Sequence, residues 1–160
     1  MSISIIAAVG KNLELGKKND LIFKIPEDMK YFKKTTLGHA VFMGFNTWKS
    51  LPGKLSQRDN YVLTHTPEDL PEGVIPVTDF DEFMKRWQNA SGELFVIGGG
   101  MVYGMSLPYA DTLYLTEVDE KCDDAEVFFP KFDKSRYNRT VIKKGHYHDL
   151  TYSFVKYTKK

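Results

Sequence analysis

Ile3-Ser4-Ile5-Ile6-Ala7-Ala8-Val9 is a nearly unbroken run of apolar, largely branched side chains in a chain of 160 residues. A strand covered on one face alternates apolar and polar residues, whereas a strand covered on both faces reads as a continuous apolar run. Four later runs share this character, at residues 40–43, 61–63, 74–77 and 94–97. Helix-period segments lie between them. Pro26 suits a first helical position, where its missing donor is no loss, and Glu27 and Asp28 suit the positive end of a helix dipole. Met29 and Phe32 are predicted to form the buried side of that helix. At Asp79 a second helix start is marked by a capping-box pair, Asp79 and Glu82, followed by Phe80, Phe83, Met84 and Trp87 on one helical face. From Leu113 the pattern changes to a strand, a long connection and two alternating strands at residues 140–143 and 151–157, which predict an antiparallel hairpin. Strands alternating with short helices imply right-handed crossovers and a largely parallel α/β sheet, with the hairpin adding antiparallel strands at one edge.

The composition narrows the function classes. A chain of this length fits one domain and buries a continuous core. With 22 basic and 21 acidic residues the formal charge is +1, so no overall field favours nucleic acid or an anionic membrane. Any basic site must be local. The single cysteine, Cys122, excludes an internal disulfide, and the Cys and His spacing offers no zinc site. The first residues are apolar without a basic leader, and no apolar stretch approaches the ~20 residues that span a bilayer. These features are those expected of a cytoplasmic protein, a monomer with no metal, nucleic-acid or membrane partner. Residues 10–24 stand apart, because 15 residues without periodicity are longer than most connections in a compact domain. Lying between the first strand and the first helix, they are expected to form a lid.

The order of local motifs resembles that of the dihydrofolate reductases. It comprises Ala7 and Ala8 ending the first strand, Leu15 and Gly16 in the loop, and Ile25-Pro26-Glu27-Asp28 with Phe32. Met43-Gly44 with Thr47-Trp48, Arg58, Ile97-Gly98-Gly99-Gly100 with Tyr103, and Leu113-Tyr114-Leu115-Thr116 follow in the same order and spacing. The motifs run from residue 3 to about residue 130, and the hairpin beyond is similar in pattern. The resemblance implies a single-domain fold over residues 1–160 with a mixed, mostly parallel central sheet of about eight strands, about four flanking helices and a C-terminal antiparallel hairpin. It further implies reduction of 7,8-dihydrofolate to tetrahydrofolate by hydride from NADPH, in support of one-carbon metabolism and of thymidylate and purine synthesis.

On that resemblance each candidate residue takes a role. The chemistry must protonate a pterin nitrogen and deliver hydride to the neighbouring carbon. A carboxylate in a water-poor pocket can accept two hydrogen bonds from the pterin and, with its pKa raised, favour proton uptake. Asp28 is that acid, and Thr116 shares a hydrogen bond with it. Ile6, Met29, Phe32 and Ile97 are expected to wall the pterin and its benzoyl extension. Arg58 matches the arginine that clamps the α-carboxylate of the substrate's tail, for which the two parallel guanidinium donors suit a carboxylate better than lysine does. Ala8, Leu15, Gly16, Gly44, Asn46, Thr47, Thr64, His65, Gly98, Gly99, Gly100, Met101, Val102 and Tyr103 are expected at the cofactor. The glycine triplet follows a strand and precedes a helix predicted over residues 101–107, which leaves backbone donors open to a pyrophosphate. The family joins the first two of these glycines by a cis peptide.

Three departures from the family pattern bear on function. Phe45 and Met101 occupy positions that are usually basic and face the 2'-phosphate of NADPH, so weaker discrimination against NADH is expected. Phe23 stands where a tryptophan is common, and phenylalanine has no donor for an active-site water. Ile22 stands where a proline is frequent. Two alternatives remain at this level: the reductase domain of riboflavin biosynthesis, which shares the fold but lacks the pterin acid, and a folate- or nucleotide-binding module without catalysis.

Overall fold

All five apolar runs form strands, and a computed structural model describes them within residues 2–17, 20–21 and 23–160. The elements, in order, are β1 Ser2–Val9, β2 Glu14–Lys17, β3 Asp20–Leu21, α1 Pro26–Thr36, β4 Ala40–Gly44, α2 Phe45–Ser50, β5 Asp59–Leu63, β6 Val74–Val77, α3 Phe80–Gln88, β7 Glu93–Gly98, α4 Gly100–Ser106, β8 Thr112–Val118, β9 Val127–Phe128, β10 Tyr137–Tyr147 and β11 Leu150–Lys159. Eight strands make one sheet in the order β10-β11-β8-β1-β7-β4-β5-β6. From β8 to β6 neighbouring strands are parallel, and β11 and β10 continue the sheet antiparallel at one edge. Four α-helices flank it among the described residues, so the expected architecture is present. Among those residues no helix is long and apolar enough to cross a membrane.

Continuous apolar strands have two covered faces, and β1 shows both. Ile3, Ile5 and Val9 enter one cluster with Phe42, Phe83, Met84, Val96 and Leu113. Ile6 points the other way, into a cluster with Val41, Met43, Val62 and Phe95 against which Phe32 of α1 and Trp48 of α2 pack. The period-2 alternation of a strand therefore divides the core into two layers. A third cluster, of Phe23, Ile25, Val118, Tyr152 and Phe154, fills the space beneath the entry to α1.

α3 follows its sequence signals closely. The Asp79 carboxylate accepts a hydrogen bond from the Glu82 amide at 3.1 Å, and Phe83 and Met84 are buried. Asp79→Ala is expected to destabilise the protein by about 1 kcal/mol, lowering Tm by about 2–4 °C in a chain of this size. Thermal unfolding followed by circular dichroism measures it.

The structure corrects several expectations. The described residues within 10–24 include two strands: β2 pairs antiparallel with β3 and with β9 in a separate three-stranded sheet. Two- and four-residue strands are too short to show periodicity, and β9, the second partner of β2, lies over a hundred positions downstream. β6 is an edge strand with Ile75 and Pro76 exposed, rather than one covered on both faces, and an edge is where proline is tolerated. Met29 is not on the buried side of α1 but 62% exposed. Phe32 and Thr36 follow Asp28 at intervals of four, which sets the inward face of the helix, and Met29 is turned away from that line. α2 follows β4 directly, without the spacing that would announce it, and the hairpin strands extend beyond the predicted segments with a register shift between Val141 and Lys143.

Candidate active site

Most of the candidate residues gather at the carboxyl ends of the parallel strands, where open α/β sheets bind their ligands, whereas Arg58 directly precedes β5, at its amino end. Ala8 lies near the end of β1, Gly44 ends β4, Leu63 and Thr64 close β5, Gly98 ends β7, and Thr116 is near the end of β8. Ala8 and Thr116 are register partners.

Asp28 stands in the first turn of α1 and faces β8, where the Thr116 hydroxyl donates to its Oδ1 at 2.5 Å. Burial pushes the Asp28 carboxyl above the ordinary aspartate range, and the Thr116 hydrogen bond offsets part of that rise. Tyr103 is buried beneath the same region, its hydroxyl donating to the carbonyl of Ile6 at 2.8 Å, and burial holds its phenol well above the ordinary range. The pair expected from the sequence is therefore in place, with a phenol locked by the backbone nearby.

At the far end of α1 is the guanidinium. Arg58 donates from Nη1 to Thr36 Oγ1 at 3.0 Å and from Nε to the Ser56 carbonyl at 2.9 Å. Burial pulls its pKa below the ordinary arginine value. Asp28 and Thr36 are separated by eight positions on α1, about 12 Å along the axis at 1.5 Å per residue. Phe32 lies between them and packs, like Ile97, against the cluster that contains Ile6. The inward face of α1 thus runs from an acid, past an aromatic ring, to a cation. Such a trough matches an elongated ligand with a hydrogen-bonding head, an apolar middle and an anionic tail.

Two residues that hold Arg58 were not foreseen. The Thr36 hydroxyl donates to the carbonyl of Phe32 at 2.9 Å, so its oxygen lone pairs accept from the guanidinium. Asn60, 1% exposed, bridges the loop by accepting from the Leu55 amide and donating to the carbonyls of Leu55 and Arg58, each at 2.9 Å. The four-residue interval from Phe32 to Thr36 is visible in the sequence, whereas the Asn60 contacts have no local signature.

The glycine triplet lies at the opposite side of β1. The Gly98–Gly99 peptide is cis, as the resemblance implied, and Gly98 has φ +137°, a backbone region that side chains rarely adopt. An added Cβ at Gly98 or Gly99 would stand 3.3 or 3.2 Å from Thr47 Oγ1, so Thr47 closes directly over a side-chain-free backbone. Leu15 and Val127 approach Gly100 from the smaller sheet, which brings the loop expected at the cofactor onto the triplet, and Gly16 is buried beside Leu15. Asn46, His65 and Met101 are exposed, while Val102 and Tyr103 are buried in the core. Thr64 accepts from the Thr66 amide at 3.0 Å and closes its own turn. Phe45 lies beneath Lys49, whose ammonium stands 5.3 Å from the ring centroid.

Around this lies a buried carboxylate. Glu14, 1% exposed, accepts from the amides of Asn12 at 2.7 Å and Cys122 at 2.6 Å. Burial raises its pKa, but these amides outweigh the burial and hold it below the ordinary range. Phe23 is buried with Ile25, Tyr152 and Phe154, and Ile22 lies outside the described residues.

Fold and side-chain arrangement together are those of an α/β protein with a partly buried carboxyl and a side-chain-free glycine turn on either side of β1. The family model for dihydrofolate reductase matches residues 2–159. The dihydrofolate reductase of Bacillus subtilis (strain 168) is 35% identical over 161 residues, covering 99% of this chain and 95% of its own. That of Neisseria gonorrhoeae is 36% identical over 164 residues, covering 98% of each. A solved structure of the Enterococcus faecalis dihydrofolate reductase, complexed with NADP(H) and RAB-propyl, superposes with a TM-score of 0.89 at 24% identity over 99% of this chain and 96% of that one. The chain belongs to the dihydrofolate reductase family, and is accordingly an oxidoreductase.

Proposed function

We propose that this protein reduces 7,8-dihydrofolate to 5,6,7,8-tetrahydrofolate with NADPH, acting as a single unit in the cytoplasm and without a metal. The observation that carries the reading is the half-buried Asp28 carboxyl held by Thr116 at 2.5 Å, at one end of a trough whose other end is Arg58. When bound, NADPH supplies the hydride. Asp28 accepts the amino and ring N–H groups of the pterin and, with its pKa raised, favours protonation of the ring. Thr116 fixes which way the carboxyl faces. Ile6, Phe32 and Ile97 exclude water along the benzoyl segment, and Arg58 pairs with the tail carboxylate. Met29, being exposed, contributes at the rim of the trough.

The residues present fit a dinucleotide. The Gly98–Gly99 backbone carries no side chain to obstruct a pyrophosphate, and Thr47, Asn46 and Gly44 stand where they can donate to it. The 2'-phosphate is met by fewer cations than usual in the family, because Phe45 and Met101 are neutral. Lys49 lies one helical turn beyond Phe45 with its ammonium over that ring, and it restores one positive charge beside Phe45. NADPH is therefore preferred, but by less than a family member with the full set of basic residues. Lys49→Met is expected to lower kcat/KM for NADPH about 10-fold, the scale of one charge-assisted contact, while leaving kcat/KM for NADH unchanged. Steady-state assays with both cofactors test this. Consumption of nicotinamide absorbance on mixing with dihydrofolate separates the enzyme from a binding module that lacks catalysis.

A further inference from the structure

The C-terminal hairpin carries groups that the proposed chemistry leaves unused. Along β11, Tyr152 and Phe154 pair with Val118 and Thr116 of β8, so their side chains leave the sheet on the Thr116 face, where α1 lies. At the start of β10, Arg139 and Val141 pair with Tyr157 and Val155, which belong to the opposite face. In an uninterrupted strand Lys143 would point the same way as Arg139 and Val141, because residues two apart share a face. Instead the register shifts between Val141 and Lys143, so that Lys143 pairs with Phe154 and Gly145 with Tyr152. Ile142 is the extra residue of a β-bulge, and the bulge turns the remainder of β10 over.

Lys143 thereby reaches α1, where its ammonium donates to Glu27 Oε2 at 2.6 Å. The Tyr152 hydroxyl donates to the other oxygen of the same carboxylate. Gly145 makes room for the cluster: an added Cβ would stand 2.8 Å from Glu27 Oε1 and from the Tyr152 ring. The base of the cluster is rigid, since Tyr152 is 4% exposed and packs on Phe154, which stacks on Tyr31 of α1 at 4.3 Å between centroids. Ile25, the residue that caps α1, offers no side-chain hydrogen bond to the helix start.

Glu27 and Asp28 are joined by one planar peptide unit, so anchoring the first limits how the second can swing. We propose that Glu27, Tyr152 and Lys143, brought together by the bulge at Ile142 and the bare Gly145, form a latch that positions Asp28 against Thr116 and keeps water from it. Glu27, Tyr152 and Lys143 are positioning residues in this scheme, which rests on the reading of Asp28 as the acid of the site. The other titratable groups that feel the charge of Asp28 are phenols: Tyr31 on its own helix, Tyr103 of α4 and Tyr152 of β11. All three are held above the ordinary tyrosine range, Tyr152 at about 12. Glu27, with Lys30 also nearby, is held below the ordinary carboxylate range by its bonds to Lys143 and Tyr152. The high-pH limb of activity therefore reports on Asp28.

The test is the pH dependence of kcat/KM for dihydrofolate in Gly145→Ala, Glu27→Gln and Tyr152→Phe. Gly145→Ala keeps every latch group but drives them apart. Opening the latch should hydrate Asp28, return its pKa toward the ordinary range and move the limb to lower pH by about half a unit, a roughly threefold loss above it. Glu27→Gln, which still accepts from Tyr152, should fall between wild type and Tyr152→Phe. Arg139→Met is the control. On the opposite face Arg139 binds Glu117 at 2.6 Å beside Tyr157, and its loss should lower Tm with the limb in place. A lower Tm with an unmoved limb in Gly145→Ala would overturn the latch. If Asp28→Asn kept the wild-type profile, the reading of Asp28 would fail separately. Amide hydrogen exchange at residues 27–30 then decides the latch: faster exchange in Gly145→Ala than in Arg139→Met upholds it, and equal exchange overturns it.

Discussion

Asp28→Asn is expected to lower turnover near neutral pH by about 10²- to 10⁴-fold, the range for a lost acid–base group, and at the same time to raise thermal stability. The two effects share one cause. Asparagine can still accept from the Thr116 hydroxyl that now donates at 2.5 Å, so the local packing is retained while the ionisable group is lost. Burial has raised the Asp28 pKa in the folded protein, so the folded state binds a proton more readily than the unfolded chain does. The stability contributed by this group is then fully present below the unfolded aspartate pKa, about 3.9, and is lost as pH rises through the higher folded value. At neutral pH, well above the unfolded aspartate pKa, the wild type bears the desolvation cost of a half-buried carboxyl that the variant avoids. Paired thermal melts at several pH values should show the variant more stable at neutral pH and the difference closing as pH falls. An equally active variant, or one that is less stable at neutral pH, would contradict the assignment of Asp28 as a desolvated acid.

Arg58→Leu is expected to raise KM for dihydrofolate about 10- to 100-fold with kcat little changed, on the scale of a hydrogen bond to a charged group. The guanidinium is distant from the reacting end of the trough, so its contact with the tail is made equally in the ground state and the transition state, and such contacts appear in KM. Its aim is set by Thr36 at 3.0 Å and by the Ser56 carbonyl at 2.9 Å, while Asn60 fixes the loop it stands on. Asn60→Ala should therefore produce a smaller change of the same kind. A substrate analogue without the tail carboxylate provides the check: wild type and Arg58→Leu should bind it alike. A large fall in kcat instead would place Arg58 in the chemistry.

Much of this molecule follows from local sequence. Continuous apolar runs at β1, β4 and β7 reported strands with two covered faces, because a side chain that must be dry on either side of a sheet has few alternatives. Pro26 and Asp79 marked helix starts, since a first turn has amides to spare and a proline or a carboxylate meets that condition in sequence. The motif order singled out Asp28, Thr116, Arg58 and the glycine triplet, and the fold bears out the Asp28–Thr116 hydrogen bond and the cis Gly98–Gly99 peptide among them. Other features were beyond local reading. Met29 is apolar yet exposed, because which of two adjacent helix positions faces inward depends on where the sheet lies. The smaller sheet needs β9, far along the chain, to turn β2 into a strand. Thr36 and Asn60 became supports of Arg58 only once the end of α1 met the loop before β5. The bulge at Ile142, which carries Lys143 to the face of α1, is a matter of register between two strands. Periodicity and capping are set by neighbours along the chain and are legible there, whereas register, facing and the environment of a charge depend on which distant segments pack together.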